Sequence, residues 1–235
     1  MPMILIMRCV ILAAGEGVRM RPLTLDNPKP LLKIAGKTFI DHIFENFPDE
    51  VTEVVLVVKY LADKIKAHCG TNFHGRKIHY AEGSDQGNAY SFLSARPFFE
   101  VDERMMIIYG DELPTKKEFA ACLADEYSWL CYQVPVPQKS GIATIDESGR
   151  ILEVIEKPEN PKSDWAATGL MVANASVFNY PPLQHKNGEY YLTSMMDQFC
   201  HDQVVTVVRG APGRPQLTTP EDLALWERLY LEGKV

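Results

Sequence analysis

Residues 8–14, RCVILAA, form an apolar run that leads without a break into GEGVRMRPLTLDNPKPLL. An apolar run of this length reads as a strand buried on both faces. A glycine loop directly after such a strand places a ligand loop at the carboxyl edge of a parallel α/β sheet. Gly15 and Gly17 let backbone N–H groups approach an anion without interference from a Cβ. Arg19 and Arg21 follow as cations, and Lys29 is expected in a stiff, extended segment between Pro28 and Pro30. Three cations beside a glycine loop suit a triphosphate. Two other readings compete for the same residues. A dinucleotide fingerprint would need a third glycine opening a helix, where this chain has Met20, Arg21 and Pro22. An ordinary solvated basic turn would need no ligand at all.

Beyond this loop, apolar runs alternate with stretches of helical period. Strands are predicted at RCVILAA, TEVVLVV, KIHYAE, MMIIYG, WLCYQV, GIATID, ILEVIE, TGLMVA and QVVTVV. Helices are predicted over 38–47, 61–69, 87–96, 116–124, 190–201 and 220–231, the last with Thr219 as N-cap and Pro220 at its first position. The first half alternates β and α, as in a parallel sheet covered by helices on both faces. The second half has strands in succession, which predicts antiparallel additions. The loops after VILAA and MMIIY should line a common cleft. No linker composition or internal repeat breaks the 235 residues, so a single domain over 1–235 is expected.

Charge and cysteine usage narrow the function. A formal net charge of −7 argues against a nucleic-acid partner, and the local basic cluster points to a small anion. Five dispersed cysteines without a C-x-x-C pair read as reduced thiols of a cytoplasmic protein. The opening MPMILIM lacks a basic region and is read as leading into the first strand, with Met7 a candidate start. No run is long enough to span a membrane. The six histidines show no metal-ligand spacing.

LAAGEGVRMRPLT followed by PKPLLKIAGK resembles the signature of the sugar-1-phosphate nucleotidyltransferases, which make nucleoside-diphosphate sugars. The resemblance implies a three-layer α/β/α Rossmann-like fold with a mixed, mainly parallel central sheet. It also implies an N-terminal half that binds an NTP and a C-terminal half that binds a sugar phosphate. It assigns nucleotide contacts to Leu12, Ala13, Ala14, Gly15 and Gly17, and catalytic charge to Arg19 and Lys29. YGDELP ends an apolar strand with Asp111, which by resemblance holds Mg²⁺ at the α-phosphate, while Tyr109 borders the sugar phosphate; an ordinary turn also explains G-D. AEGSDQGNAYSFLSA matches the base-reading segment, with Glu82 and Gly87 at contact positions and Asn88 where the family often has threonine. A turn and helix cap is the plain alternative there.

The second block, SGIATIDESGRILEVIEKPENPKSDWAATGLMVAN, is similar to the sugar side of the same family. By resemblance Gly141 offers backbone contact, Glu156 accepts from sugar hydroxyls, Lys157 binds the phosphate and Thr168 lies beside it. PKSDWAATGL is closest to the thymidylyltransferases, and Ala167 stands where N-acetylglucosamine-1-phosphate uridylyltransferases carry asparagine. In GEYYLTSMMDQF, Glu189 is a further candidate sugar contact. Near the end, Gln216 stands where the family has a second magnesium carboxylate, so a neutral amide replaces a charge.

The reaction implied is transfer of a nucleotidyl group from an NTP to a sugar 1-phosphate with release of pyrophosphate. Two alternatives carry different observations. GNAYSF resembles the phosphocholine cytidylyltransferases, which would call for an aromatic cage from Tyr90, Trp129 and Trp165. A non-catalytic nucleotide-sugar sensor would follow from a metal site weakened at Gln216.

Overall fold

The computed structural model describes residues 7–211 and 217–233. Gln216 and the reading of the first six residues lie outside the described residues. The elements run β1 (Met7–Ala13), β2 (Lys33–Ile34), β3 (Lys37–Thr38), α1 (Phe39–Asn46), β4 (Val51–Val58), α2 (Ala62–Cys69), β5 (Asn72–Phe73), β6 (Arg76–Glu82) and α3 (Asn88–Leu93). They continue with β7 (Arg104–Tyr109), α4 (Lys116–Leu123), β8 (Ser128–Gln133), β9 (Gly141–Ile145), β10 (Ile151–Glu156), β11 (Trp165–Asn174), α5 (Leu192–Asp202), β12 (Thr206–Arg209) and α6 (Pro220–Leu231).

Strand side chains alternate between the two faces of a sheet. Here both sets are apolar. Cys9, Ile11 and Ala13 of β1 share a core with Val54, Leu56 and Val58 of β4 and with Met106 and Ile108 of β7. The intervening Val10, Val55, Val57, Met105 and Ile107 enter a second core. The first core takes Phe39 and Ile43 of α1, Ile65 of α2, Phe119 of α4 and Trp226 of α6. The second takes Phe92 of α3 and Leu192, Met195 and Phe199 of α5. A sheet buried on both faces cannot read as alternating hydrophobic and polar, which is why its strands are continuous apolar runs.

Ten strands form that sheet, along the path β10-β9-β11-β7-β1-β4-β6-β5, with β8 branching from β11 and β12 pairing with β8. β6, β4, β1 and β7 are mutually parallel. β11 then runs antiparallel to β7, β8 and β9, as the succession of strands in the second half leads one to expect. β11 serves three neighbours because its register with β8 shifts between Ala167 and Met171.

All nine predicted strands and six predicted helices are present. The unpredicted strands are three two-residue pieces, β2, β3 and β5. Ala35 and Gly36 between β2 and β3 both have positive φ, 48° and 86°, the signs of a tight two-residue hairpin turn. Alanine rather than asparagine at the first position hides that turn from sequence rules. Helices α1, α4 and α6 begin with reciprocal caps, Thr38 with Asp41, Thr115 with Glu118 and Thr219 with Asp222.

Candidate active site

The carboxyl ends of β1, β4, β6 and β7 open onto one cleft of about 800 Å³. Its walls include Ala14–Val18 after β1, Lys59–Leu61 after β4, Ser84 and Asp85 after β6, and Gly110 and Asp111 after β7. The Gly110 N–H donates to Leu12 O at 2.9 Å and ties the β7 loop to β1. Gly17 sits at φ 61°, in the left-handed region that favours glycine, and its carbonyl accepts from Thr24 Oγ1 at 2.8 Å. A Cβ on Gly15 would meet open space, so that peptide is approachable from the cleft. Arg19 is exposed on the same wall.

Lys29 does not lie in an extended segment as the flanking prolines suggest. It opens a single 3-10 turn, Lys29–Leu31, in which the Leu31 N–H donates to Pro28 O at 2.8 Å and the Leu32 N–H to Lys29 O at 3.1 Å. Pro30 is accommodated because that position needs no N–H donor. The turn aims Lys29 Nζ at Asp111 Oδ2, 2.6 Å away, with side-chain exposures of 13% and 40%. An ammonium shielded from water thus meets a carboxylate that faces the cleft.

Asn88 Oδ1 accepts from the Leu192 N–H at 2.7 Å, and Asn88 also bonds the Tyr109 hydroxyl. Burial pushes that phenol well up, reinforced by the carboxylates of Glu156, Glu112 and Asp111. Gly87, at φ 121°, packs so closely that a Cβ would come within 2.3 Å of Tyr190 O.

Of the residues singled out in the sequence, Leu12, Ala13, Ala14, Gly15, Gly17, Arg19, Lys29, Gly87, Asn88, Tyr109 and Asp111 line this cleft. Gly141, Glu156 and Lys157 gather beside it at one end of the β9–β10 pair. Glu156 Oε2 accepts from Thr193 Oγ1 at 2.8 Å, and Lys157 Nζ lies 3.7 Å from Glu156 Oε1. Three residues fall elsewhere. Arg21, one of the three cations after the glycine loop, lies outside the lining and donates to Glu16 Oε2 at 3.2 Å. Glu82 is exposed at the end of β6, outside the lining. Thr168 is buried with Oγ1 accepting from the Leu170 N–H at 3.1 Å, its carbonyl accepting from Trp129 Nε1 at 2.6 Å.

The sequence reading passed over Lys59, which pairs with Asp85 across the mouth of the cleft. Its position after a parallel strand was the available signal. It also passed over Glu112, whose Oε2 accepts from the Gly169 N–H at 2.7 Å. Burial and the neighbouring Asp111 push the Glu112 carboxyl up to about 8, against the pull of that N–H and of Lys29. No sequence pattern announces a carboxyl desolvated by a strand from the other half of the chain.

Among the described residues no three His, Cys, Asp or Glu side chains converge as a metal cage. Mg²⁺ needs less than that, since it takes one or two carboxylates and fills its shell with water and substrate phosphates. Asp111 meets that requirement, with Oδ2 on Lys29 and Oδ1 left for a cation.

The family model described as nucleotidyl transferase matches residues 8–209. The bifunctional protein GlmU of Methanocaldococcus jannaschii is 34% identical over 173 residues, covering 73% of this chain and 41% of GlmU. The chain thus spans about two-fifths of that relative. UTP–glucose-1-phosphate uridylyltransferase AglF of Haloferax volcanii is 31% identical over 233 residues, covering 92% of this chain and 93% of AglF. A solved UDP-glucose pyrophosphorylase complexed with UDP-glucose has the same fold, with a TM-score of 0.83 at 18% identity over 97% of this chain and 99% of that one. With a family match over most of its length and a relative matched nearly end to end, this chain belongs to the nucleotidyl transferase family, among its sugar-1-phosphate nucleotidyltransferases.

Proposed function

We propose that this protein, acting as one domain, transfers a nucleotidyl group from an NTP to a sugar 1-phosphate and releases pyrophosphate. The observation that carries the reading is the Lys29–Asp111 pair, set in a glycine-walled cleft at the carboxyl ends of four parallel strands. An acceptor phosphate is anionic at neutral pH and needs no general base. Its oxygen attacks the α-phosphorus in line, the bond to the bridging oxygen breaks, and pyrophosphate departs with the electron pair. Catalysis is positioning and charge neutralisation. The Gly15–Gly17 peptides and Arg19 receive the triphosphate, Lys29 turns from Asp111 toward its oxygens, and Lys157 holds the acceptor phosphate beside Glu156. Mg²⁺, held by Asp111 and the phosphates, would supply further charge neutralisation at the α-phosphate.

A phosphocholine acceptor has less support. Trp129 is 1% exposed with its N–H engaged by Thr168, Arg209 lies over the Trp165 ring, and Tyr90 packs edge-on against Tyr190. These aromatics are occupied with other partners. The test is pyrophosphate release with Mg²⁺ across a matrix of NTPs and phosphates. UTP with glucose 1-phosphate heads the list because AglF is named for UTP and glucose 1-phosphate. Release in any sugar-phosphate column supports the reading. Tight NDP-sugar binding with no release in any column replaces it with a sensor.

A further inference from the structure

Tyr191, the residue that precedes α5, is incompletely bonded among the described residues. Its hydroxyl oxygen accepts from Lys157 Nζ at 2.6 Å and from Asn187 Nδ2 at 2.8 Å. A phenol has two acceptor lone pairs and one donor hydrogen. Both lone pairs are therefore engaged, and among the described residues no acceptor takes the hydrogen. That proton is directed away from Lys157 and Asn187 and is left free for a group bound beside the ammonium.

Lys157 is itself held unusually firmly. Its backbone is left-handed, with φ 45°, a conformation that costs a non-glycine residue about 1 kcal/mol or more and that concentrates at ligand clamps. The Lys157 N–H donates to Ser140 O at 2.9 Å, which fixes the strained residue against the start of β9. Burial opposes the charge on its side chain, but the Tyr191 hydroxyl, Glu156 and Glu189 outweigh it and raise the ammonium's pKa. Glu189 belongs to the lining of the main cleft, so the ammonium stands at the edge of that cleft. Lys157 also borders a groove of about 550 Å³, together with Gln138, Glu159, His185, Lys186 and Asn187. An ammonium has three N–H donors, of which Tyr191 takes one and Glu156, at 3.7 Å, is a distant second.

We infer that Tyr191 is a substrate-binding residue, whose O–H donates to the same acceptor phosphate that Lys157 binds, with Asn187 fixing the direction of the proton. This rests on the nucleotidyl-transfer reading for the identity of the anion. The chemistry recognised is a phosphate monoester: two donors, one charged and one neutral, converge from a single rigid corner. The neutral donor adds direction that a lone ammonium lacks.

Calorimetric titration of the full chain and its Tyr191→Phe and Lys157→Ala variants, with inorganic phosphate and with glucose 1-phosphate, tests the assignment. Pyrophosphate release is followed in parallel. Phenylalanine keeps the ring and removes only the hydroxyl, so the melting temperature should stay within about 2 °C. We expect Tyr191→Phe to weaken both anions about tenfold, to raise the acceptor KM by the same factor, and to leave the NTP KM within twofold. Lys157→Ala should weaken them further. Wild-type anion affinity in Tyr191→Phe overturns the inference, as does an equal rise in both KM values or a wild-type chain that binds neither anion. Tyr191-dependent anion binding without pyrophosphate release from any NTP leaves this site standing and defeats the proposed reaction instead.

Discussion

Two aspartates, each at a turn between a strand and its surroundings, are treated in opposite ways by this fold. Asp111 follows β7 and has a single cationic partner, Lys29, with 40% of its side chain exposed to the cleft. Asp41 lies in the first turn of α1 with 19% exposed. It accepts from the Thr38 N–H at 3.1 Å and from the Thr38 hydroxyl, and meets His68 Nε2 at 3.2 Å and His74 Nε2 at 3.0 Å. The carboxylate on α1 is saturated and ties α1, α2 and the β5–β6 turn together. The carboxylate in the cleft is held ready but incomplete. The comparison teaches that function is legible in unfinished bonding: a group satisfied on every side stabilises, and a group left with a spare lone pair recognises. Tyr191, with its unspent proton, falls on the same side of this division as Asp111.

The division breaks first, if it breaks, at Asp111. Asp111→Ala should lower kcat/KM about 10³-fold while the melting temperature falls by no more than about 4 °C, because the Asp111 side of the pair faces solvent although Lys29 is shielded from it. A large loss of stability would move Asp111 into the structural class. Lys29→Ala should cost about 10²-fold by the same assay. Residues that act as a unit are not additive, so the double variant should fall at most about tenfold below Asp111→Ala. Full additivity of the two losses would mean that the pair seen in the structure has no bearing on turnover.

How far the sequence carries this distinction differs between the two sites. The main sheet was legible in every strand but the two-residue edge strand β5, because strands buried on both faces declare themselves as apolar runs. The cleft was legible at Gly17, Lys29 and Asp111, since the topology brings the loops after parallel strands to one edge whatever their separation. Lys29 and Asp111 are 82 positions apart yet adjacent. Thr38-x-x-Asp41 is readable as a cap, but His68 and His74 come from elements whose packing no local pattern reports. Glu112 and Tyr191 were invisible as particular partners for the same reason: one is desolvated across the β7–β11 boundary, and the other is defined by donors from two separate loops.

The opposite side of the comparison is tested on stability. Asp41→Ala should cost roughly 2 kcal/mol, the value of holding a carboxyl near 2 rather than 3.8, and lower the melting temperature by about 4–8 °C. Turnover should remain within twofold. Impaired catalysis in a variant that stays folded would show that the α1–α2 flank communicates with the cleft.

The smallest effect is the sharpest, because it isolates the charge. Burial alone would raise the Asp41 carboxyl, and the Thr38 hydroxyl, His74, the Thr38 N–H and His68 outweigh it to hold it at about 2. A folded-state value below the unfolded one means that the unfolded chain binds protons more readily on acidification. The contribution is therefore complete above about pH 5, falls as the pH drops through 3.8, and is gone below about 2. By pH 3 roughly 1 kcal/mol of it should be lost. Urea unfolding at pH 6 and pH 3 measures this directly. Asp41→Asn should show a smaller drop than wild type by that amount. Equal drops in wild type and Asp41→Asn would mean that the two imidazoles and the cap do not hold this carboxylate, and that its apparent saturation is packing without energetic weight.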